Sequence, residues 1–183
     1  GHVAESGVET EDTPLIRHCI ATADDVAAMF ERELDAGRIS MADLFDENYQ
    51  PIQGTNPVQH MTRFVAHTDR LLPPIQEAML DFDPRVTFCA AVDRNGYLPT
   101  HNHVFSKPQG PDPVWNAGNC RNRRIFNDRT GLAAGRNRKP FLLQTYRRDM
   151  GGGNYTLMKD LSAPIMIKGK HWGGLRIGFK ISV

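Results

Sequence analysis

Three arginines fall within the short stretch Arg121-Asn122-Arg123-Arg124, and they are the clearest chemical signal in the sequence. A guanidinium group presents a planar fork of N–H donors that matches the oxygens of a carboxylate or a phosphate. We predict a helix over residues 115–126, which would place Arg121 and Arg124 on one helix face. The stretch therefore predicts a site for a small anion. The alternative is that these arginines form ion pairs with acidic helices elsewhere in the chain.

Further side chains could complete such a site. Tyr146 and Trp172 would supply rigid aromatic walls, and Asp160 would either hold an amine or orient an arginine. Gly174 would leave open space on a sheet face, because glycine weakens a strand unless something must approach it closely. The predicted ligand-binding residues are Arg121, Arg124, Tyr146, Asp160, Trp172 and Gly174.

A pair of histidines offers a different chemistry. His101 and His103 are two positions apart, so in a strand their imidazoles would point to the same side. Imidazole is a frequent ligand of metal ions, but no third ligand is evident nearby, and loop histidines are usually solvated. Two alternatives to anion binding therefore stay open: a haem- or metal-based redox or gas sensor, and a metal-assisted hydrolase that uses His101 and His103.

No sequence motif points to covalent catalysis. Ser162 lacks the G-x-S-x-G pattern, and Gly151–Gly153 lacks the Lys-Ser/Thr of a phosphate-binding loop. The cysteines are widely spaced, without a C-x-x-C pair or a haem-attachment motif. They are Cys19, Cys89 and Cys120. We therefore expect a protein that is not an enzyme, with free structural thiols and no bound cofactor, haem being the alternative cofactor.

Charge is distributed very unevenly along the chain. The net charge is only +1, yet residues 1–118 contain 8 Lys and Arg against 18 Asp and Glu, and residues 119–183 contain 14 against 3. A nucleic-acid-binding domain is usually basic overall, so we expect no nucleic-acid partner. The basic part is expected to face an anion or to be neutralised by the acidic part. No apolar stretch is long enough to span a bilayer, so we expect no membrane contact by this segment.

The first half of the chain has helical patterns. Asp12 stands before a helix predicted over residues 14–36, whose apolar residues recur near a period of 3.6, and Gly37 is suited to end it. Asn56-Pro57 is predicted to open a second helix, which Pro73-Pro74 interrupts.

The pattern changes to a period of two after residue 85. We predict strands over residues 86–92 and 97–101, joined at Asn95-Gly96, which is a strong hairpin signal. A loop and the helical crossover follow, and then a strand over residues 141–149.

The last stretch, residues 157–183, reads as an antiparallel hairpin that turns at Gly169. In its final strand the apolar side chains alternate with glycine and basic residues. One face carries Leu175, Ile177, Phe179 and Ile181, and the other carries Gly174, Arg176, Gly178 and Lys180.

Several stretches resemble the PAS/Cache-like sensor module at the cytoplasmic C-terminal end of bacterial methyl-accepting chemotaxis proteins. They are AAVDRNGYLPTHN at 90–102, CRNRRIF at 120–126, PFLLQTYRRD at 140–149, LSAPI at 161–165 and WGGLRIG at 172–178. The order of two strands, a helical crossover and three strands is that of a PAS-type sheet, and a long leading helix is typical of the Cache variety. The resemblance spans about residues 7–183.

The resemblance implies an α+β fold: a PAS/Cache-like antiparallel sheet of five to six strands, with a long N-terminal helix and a helical crossover. We expect a linker or frayed N-terminus at residues 1–11 and one sensory domain at 12–183, with a helical layer over 14–81.

The implied function is that of a non-catalytic sensory domain of a chemotaxis receptor, and the arginine cluster predicts that its ligand is a small, anionic molecule. Its partners would be that ligand and the adjoining methyl-accepting signalling domain, with a homodimer through the N-terminal helix as a further possibility. The expected location is cytoplasmic, in a receptor that could itself be anchored in a membrane.

Overall fold

An antiparallel sheet with a long helix across one face organises the chain. The computed structural model describes residues 9–151 and 153–182. Its α-helices are α1 Thr13–Asp35, α2 Met41–Leu44, α3 Val65–Leu71, α4 Pro73–Phe82, α5 Pro113–Asn119 and α6 Arg129–Arg136, with a 3-10 turn at His103–Phe105. Its strands are β1 Gln50–Pro51, β2 His60–Met61, β3 Val86–Asp93, β4 Tyr97–Leu98, β5 Arg124–Ile125, β6 Leu142–Gly151, β7 Asn154–Ile167 and β8 Lys170–Lys180.

The main sheet has the strand order β3-β8-β7-β6, and every neighbouring pair is antiparallel. The last strand is therefore an inner strand. The α+β class with an antiparallel sheet is confirmed. The expected number of strands is wrong, because in the part of the chain that the structure describes the sheet has four strands, and β1–β2 and β4–β5 form separate two-stranded ladders.

The missing fifth strand has a local explanation. Gly96 adopts φ +83° and makes the predicted turn, but β4 then pairs with β5 and not with β3. Side-chain amides occupy the outer edge of β3 instead: the Ala91 N–H donates to Gln76 Oε1 at 2.8 Å, and the Cys89 N–H donates to Asn102 Oδ1 at 2.8 Å. Because these buried donors already have partners, no further strand is needed at that edge.

Helix α1 covers one face of the sheet. Its buried stripe packs against β7 and β8 and includes Leu15, Cys19, Val26 and Phe30. Full burial of such an apolar side chain contributes about 1.5–3 kcal/mol. The helix has nearly the predicted bounds, and Gly37 follows it at φ +71°.

Asp12 lies at the start of α1 but does not cap it. Its side chain makes no capping hydrogen bond. One carboxylate oxygen accepts from Arg85 Nη1 at 2.7 Å, and the other pairs with Lys159 Nζ. The carboxylate thus ties the start of α1 to β7 and to the segment before β3, and these bonds lower its pKa although burial opposes them.

The second helix begins later than predicted. Residues 60–61 form strand β2, and α3 starts only at Val65. Backbone hydrogen bonding explains the difference, because the His60 N–H donates to Arg123 O at 2.7 Å and Tyr97 Oη donates to His60 O at 2.6 Å. These tertiary bonds hold the segment extended.

Helix α6 packs on part of the opposite face of the sheet, over β7 and β8. A small apolar cluster of Ala90, Val92 and Leu98, with Phe126 beside it, fills another part of that face. Phe88 and Arg176 also lie on that face. None of the helices in the described ranges is long and apolar enough to cross a membrane.

Candidate functional site

Two adjoining cavities, of about 310 and 340 Å³, lie on the sheet face opposite α1. Phe88, His101, Arg121 and Tyr146 line both of them. We call the combined space the arginine cavity, because Arg148 lines one part and Arg124 and Arg176 line the other. Its size falls in the range of small-molecule sites, about 300–1,000 Å³.

The loop after α5 brings two of the predicted arginines together. The helix predicted over residues 115–126 ends at Asn119, so a shared helix face is the wrong reason for their proximity. Arg121 Nη1 and Arg124 Nη1 both donate to Ala117 O, at 3.0 and 2.9 Å. Their guanidinium carbons lie 4.9 and 4.8 Å from the centre of the Phe126 ring. A carbonyl and an aromatic ring thus position both cations.

Arg123 points elsewhere. Its backbone has φ +62°, which separates its side-chain direction from those of its neighbours. Arg123 Nη2 pairs with Asp69 Oδ2 at 2.8 Å, and Nη1 donates to Pro99 O at 2.9 Å. The ion-pairing alternative therefore holds for this arginine. Among the carboxylates that the structure describes, none forms an ion pair with Arg121 or Arg124.

The two unpaired guanidinium groups make the arginine cavity positive. Burial, together with the charges of Arg124, Arg148 and Arg176, lowers the pKa of Arg121 to about 10. Burial also lowers the pKa of Arg124. Both groups stay protonated near neutral pH, and because no described carboxylate forms an ion pair with them, their charge favours an anion.

A buried ion pair between β7 and β8 holds Arg176, another cation of the arginine cavity. Arg176 Nε on β8 donates to Asp160 Oδ1 on β7 at 2.6 Å, and the Asp160 side chain is completely buried. Burial raises the pKa of Asp160 to about 6, even though Arg176 acts in the opposite direction. Asp160 does not line the cavity; it orients Arg176, which is one of the two predicted roles.

Two buried oxygens lie near this pair without partners. Among the described side chains, neither Asp160 Oδ2 nor Ser162 Oγ has a hydrogen-bond partner. Ser162 is directly opposite Arg176 in the β7–β8 register. An unsatisfied buried polar group costs about 1–3 kcal/mol, so both oxygens favour a hydrogen-bond donor as a partner.

Tyr146 and His101 form walls of the cavity. Burial raises the pKa of the Tyr146 hydroxyl and lowers the pKa of His101 to about 3, so the imidazole is neutral at physiological pH. The His101 ring lies 5.6 Å from that of Phe88 and 5.0 Å from that of Phe105.

The predicted pairing of the two histidines is wrong. His103 is exposed, and its Nε2 lies 3.8 Å from Glu77 Oε1, whereas His101 is buried in the cavity wall. The chain turns into a 3-10 helix between them, so the alternation of a strand does not apply. Residues 9–151 and 153–182 contain no group of three or more His, Cys, Asp or Glu side chains arranged to hold a metal ion.

Trp172 lies away from the cavity. It packs in the core beneath α1, with ring centres 5.6 Å from Phe30 and 5.7 Å from Phe64, and its Nε1 donates to Leu44 O at 2.9 Å. The predicted wall role is therefore wrong. An irregularity in the β7–β8 pairing between Ile165 and Met166 shifts the alternation next to Trp172.

Gly174 is on the predicted sheet face but does not leave open space. A Cβ there would lie 3.0 Å from Ala134 O of α6 and 3.2 Å from Ala163 O. The absence of a side chain allows the helix to pack closely. At Gly178, a Cβ would overlap the Phe88 ring, which lines the cavity. The two glycines accommodate a helix and an aromatic wall.

Sequence reasoning missed Phe88, His101 as a wall, Phe126 and Arg176. A signal existed for Arg176, because it alternates with Gly174 and Gly178 on the face that carries the cavity. The position of Phe126 depends on the loop after α5, for which the sequence has no periodic pattern.

Comparisons with known proteins give little support beyond these observations. No protein-family model matches the chain, and no curated protein does. Among solved structures, the chain is similar to an extracellular ligand binding receptor from Desulfohalobium retbaense DSM5692, with 14% sequence identity and a TM-score of 0.36. The similarity covers 94% of this chain and 26% of that one, so this chain spans about a quarter of that structure. A similarity this weak assigns neither a fold family nor a ligand.

Proposed function

We propose that the chain is a non-catalytic sensory domain that binds a small anion in the arginine cavity, without a resident cofactor. The observation that carries this proposal is the pair Arg121 and Arg124. Both are held by Ala117 O and the Phe126 ring, and neither has an ion pair with a described carboxylate. A carboxylate or phosphate at their free N–H groups would gain charge-assisted hydrogen bonds of about 1.5–3 kcal/mol each.

The neighbouring walls favour a compact ligand with an apolar part. Phe88, Phe105 and Tyr146 offer aromatic contact, while the neutral His101 adds no charge. Asp128 is the acidic residue among those that line the cavity, against four arginines. The balance of charge therefore favours an anion over a cation or a neutral molecule.

The architecture supports the PAS/Cache-like part of the proposal. The last strand is an inner strand between β3 and β7, and α1 runs along the face of the sheet opposite the cavity. A long N-terminal helix on an antiparallel sheet is the part of the implied fold that supports this proposal. The finer identity that we propose is the sensor module of a cytoplasmic methyl-accepting chemotaxis receptor, with the adjoining signalling domain as its partner.

A route for the signal follows from shared strands. Arg176 and Asp160 lie on β8 and β7, and α1 packs on the other face of the same two strands. A ligand that draws Arg176 toward the cavity would change the packing under α1. We propose that α1 passes this change to the signalling domain, alone or in a homodimer.

A thermal-shift screen of carboxylates, phosphates and neutral analogues tests the binding function. A ligand that binds only the native state stabilises it by RT ln(1 + [L]/Kd). We expect at least one anion to raise the melting temperature of the parent protein and to lose this effect in Arg124→Gln. Arg147→Gln is the matched control, because Arg147 is exposed and packs over Tyr155.

The control variant should respond like the parent. If no anion stabilises the parent protein, or if a neutral analogue stabilises it as well as its acid does, the proposed function is wrong. Visible absorption and metal analysis of the same sample test the alternatives, because a Soret band would favour a haem sensor.

A further inference from the structure

A second cationic surface lies apart from the arginine cavity. Three segments meet around a depression of about 500 Å³: the turn after β3, the end of α6 and the β7–β8 turn. We call it the basic depression. Its cationic side chains are Arg94, Arg136, Arg138, Lys168 and Lys170, and Asn95, Gly169 and His171 complete its lining, which includes no carboxylate.

The five cations divide into two groups. Arg94 is bonded to Glu47, with Nη2 to Oε1 at 2.5 Å, and Lys168 Nζ pairs with Asp35 at 2.7 Å. Arg136, Arg138 and Lys170 form no ion pair with a carboxylate in the part of the chain that the structure describes. The Lys170 ammonium lies over the Phe45 ring at 4.4 Å, and Arg136 Nε donates to Arg94 O at 3.3 Å. Three positive charges thus line the depression without an ion pair of their own among the described residues.

The helix end does not account for this charge. The C-terminus of a helix carries a partial charge of about −0.5, which one nearby cation can offset. Arg136 is in the last turn of α6 and can offset this partial charge by itself, so the charges of Arg138 and Lys170 are not explained by the helix end. His171 adds no charge near neutral pH, because burial and the nearby Arg138 and Arg94 lower its pKa.

We propose that the basic depression binds a compact, multiply charged phosphate compound. The guanidinium fork of arginine matches phosphate oxygens, and a concave site built from three segments suits a small molecule better than a long polymer. Acidic residues surround the depression: Glu31 accepts from the Lys168 N–H at 2.7 Å, and Asp35 and Glu47 hold the neighbouring cations. These carboxylates limit the positive surface to the depression itself, which suits a compact anion better than an extended one.

The depression lies at the opposite end of α1 from Asp12. It lies next to Asp35 at the end of that helix, whereas Asp12 is at its start. At a rise of 1.5 Å per residue, the two ends are about 35 Å apart. The start of α1 is therefore far from the depression.

Isothermal titration of the whole chain with sodium tripolyphosphate, at near-physiological salt, tests this inference. The double variant Arg136→Gln/Arg138→Gln should weaken binding by about tenfold or more, because it removes two charge-assisted contacts. Lys170→Gln should weaken it by a smaller factor. The matched control is Arg17→Gln/Arg147→Gln, which removes two exposed arginines that line neither site and should change the affinity less than about twofold.

A second comparison separates this site from the arginine cavity. Arg121→Gln/Arg124→Gln should retain tripolyphosphate binding if the depression is the site. The inference is overturned if the parent protein does not bind the probe, or if the control pair loses as much affinity as the depression variant. It is equally overturned if binding is lost in the cavity variant alone, which would place the probe in the arginine cavity and leave the proposed sensory function standing.

Discussion

The two faces of the sheet are made of the same strands but differ in chemistry. The face toward α1 is apolar and closed, with Leu161, Leu175 and Ile177 completely buried. The opposite face has unpaired arginines at the rim of a cavity and two buried oxygens without described partners beneath it. Alternation along β7 and β8 places Leu161 on one face and Asp160, Ser162 and Arg176 on the other, because successive side chains point to opposite faces.

The difference indicates where stability is generated and where binding is expected. Apolar burial under α1 stabilises the fold, whereas burying charges without partners on the other face opposes it. Sites at which charges are buried without partners are often functional sites. The following changes test whether the two faces have these separate roles.

The largest effect is expected for Phe30→Ala on the α1 face. Phe30 is buried against Trp172, and truncation of a buried phenylalanine costs about 3–5 kcal/mol. Urea unfolding should show this loss. Phe82→Ala, at a half-exposed position on α4, is the control and should cost about 1 kcal/mol or less. Equal losses in the two variants would contradict a core centred under α1.

Asp160→Asn should be next in magnitude. Removing one partner of a buried ion pair costs about 3–5 kcal/mol, because the other charge is left unpaired. We expect about 3 kcal/mol, at the lower end, since burial already destabilises the Asp160 carboxylate. Asp128→Asn removes an exposed carboxylate near the cavity and should change the free energy of unfolding by less than about 0.5 kcal/mol. If Asp160→Asn is as mild as this control, Asp160 does not hold Arg176.

A pH dependence is expected from His101. Its pKa falls from about 6.5 in the unfolded chain to about 3 in the folded protein, so below pH 6.5 the unfolded state binds a proton that the folded state excludes. As the pH falls from 6.5 to 3, this group should therefore lower the free energy of unfolding by up to about 1.4 kcal/mol per pH unit. Asp93 and Asp160, with pKa values raised to about 6, act with the opposite sign between pH 3.8 and 6.

Comparison with a variant isolates the histidine. His101→Phe should show a smaller loss of stability between pH 6.5 and 5 than the parent protein, as measured by urea unfolding at each pH. An identical slope in both proteins would mean that the imidazole takes up a proton in the folded state.

The smallest effect on stability is expected for Arg121→Gln/Arg124→Gln. Neither arginine has a described carboxylate partner, and burial disfavours both charges, so their removal should change the free energy of unfolding by no more than about 1 kcal/mol. Anion binding should nevertheless be lost. A large loss of stability would mean that these arginines are structural, in the way that Arg123 is.

Local patterns predicted the sheet faces well, because the alternation of Leu175, Ile177 and Phe179 follows directly from strand geometry. The bounds of α1 could likewise be predicted, from the period of its apolar residues and from Gly37. The hydrogen bonds at the edge of β3 could not be predicted in this way, because Gln76 and Asn102 reach that edge from other segments of the chain.

The candidate site was predicted in part. The composition of the arginine cluster indicated an anion site, yet the arginines meet through Ala117 O and Phe126 and not through a helix face. Trp172 was assigned to the wrong face because a pairing irregularity shifts the alternation beside it. Gly174 correctly indicated a close approach, but by α6 and not by a ligand.

The most direct test of the anion site is a nitrogen-edited NMR titration that follows the arginine side chains. The titrant is the anion that stabilises the parent protein most in the thermal-shift screen. We expect the Nε–Hε resonances of Arg121 and Arg124 to shift in a saturable way, with a smaller shift at Arg176. Those of Arg123 and the exposed Arg147 should stay unchanged. Saturable shifts at Arg123 or Arg147 without shifts at Arg121 and Arg124 would contradict anion binding in the arginine cavity.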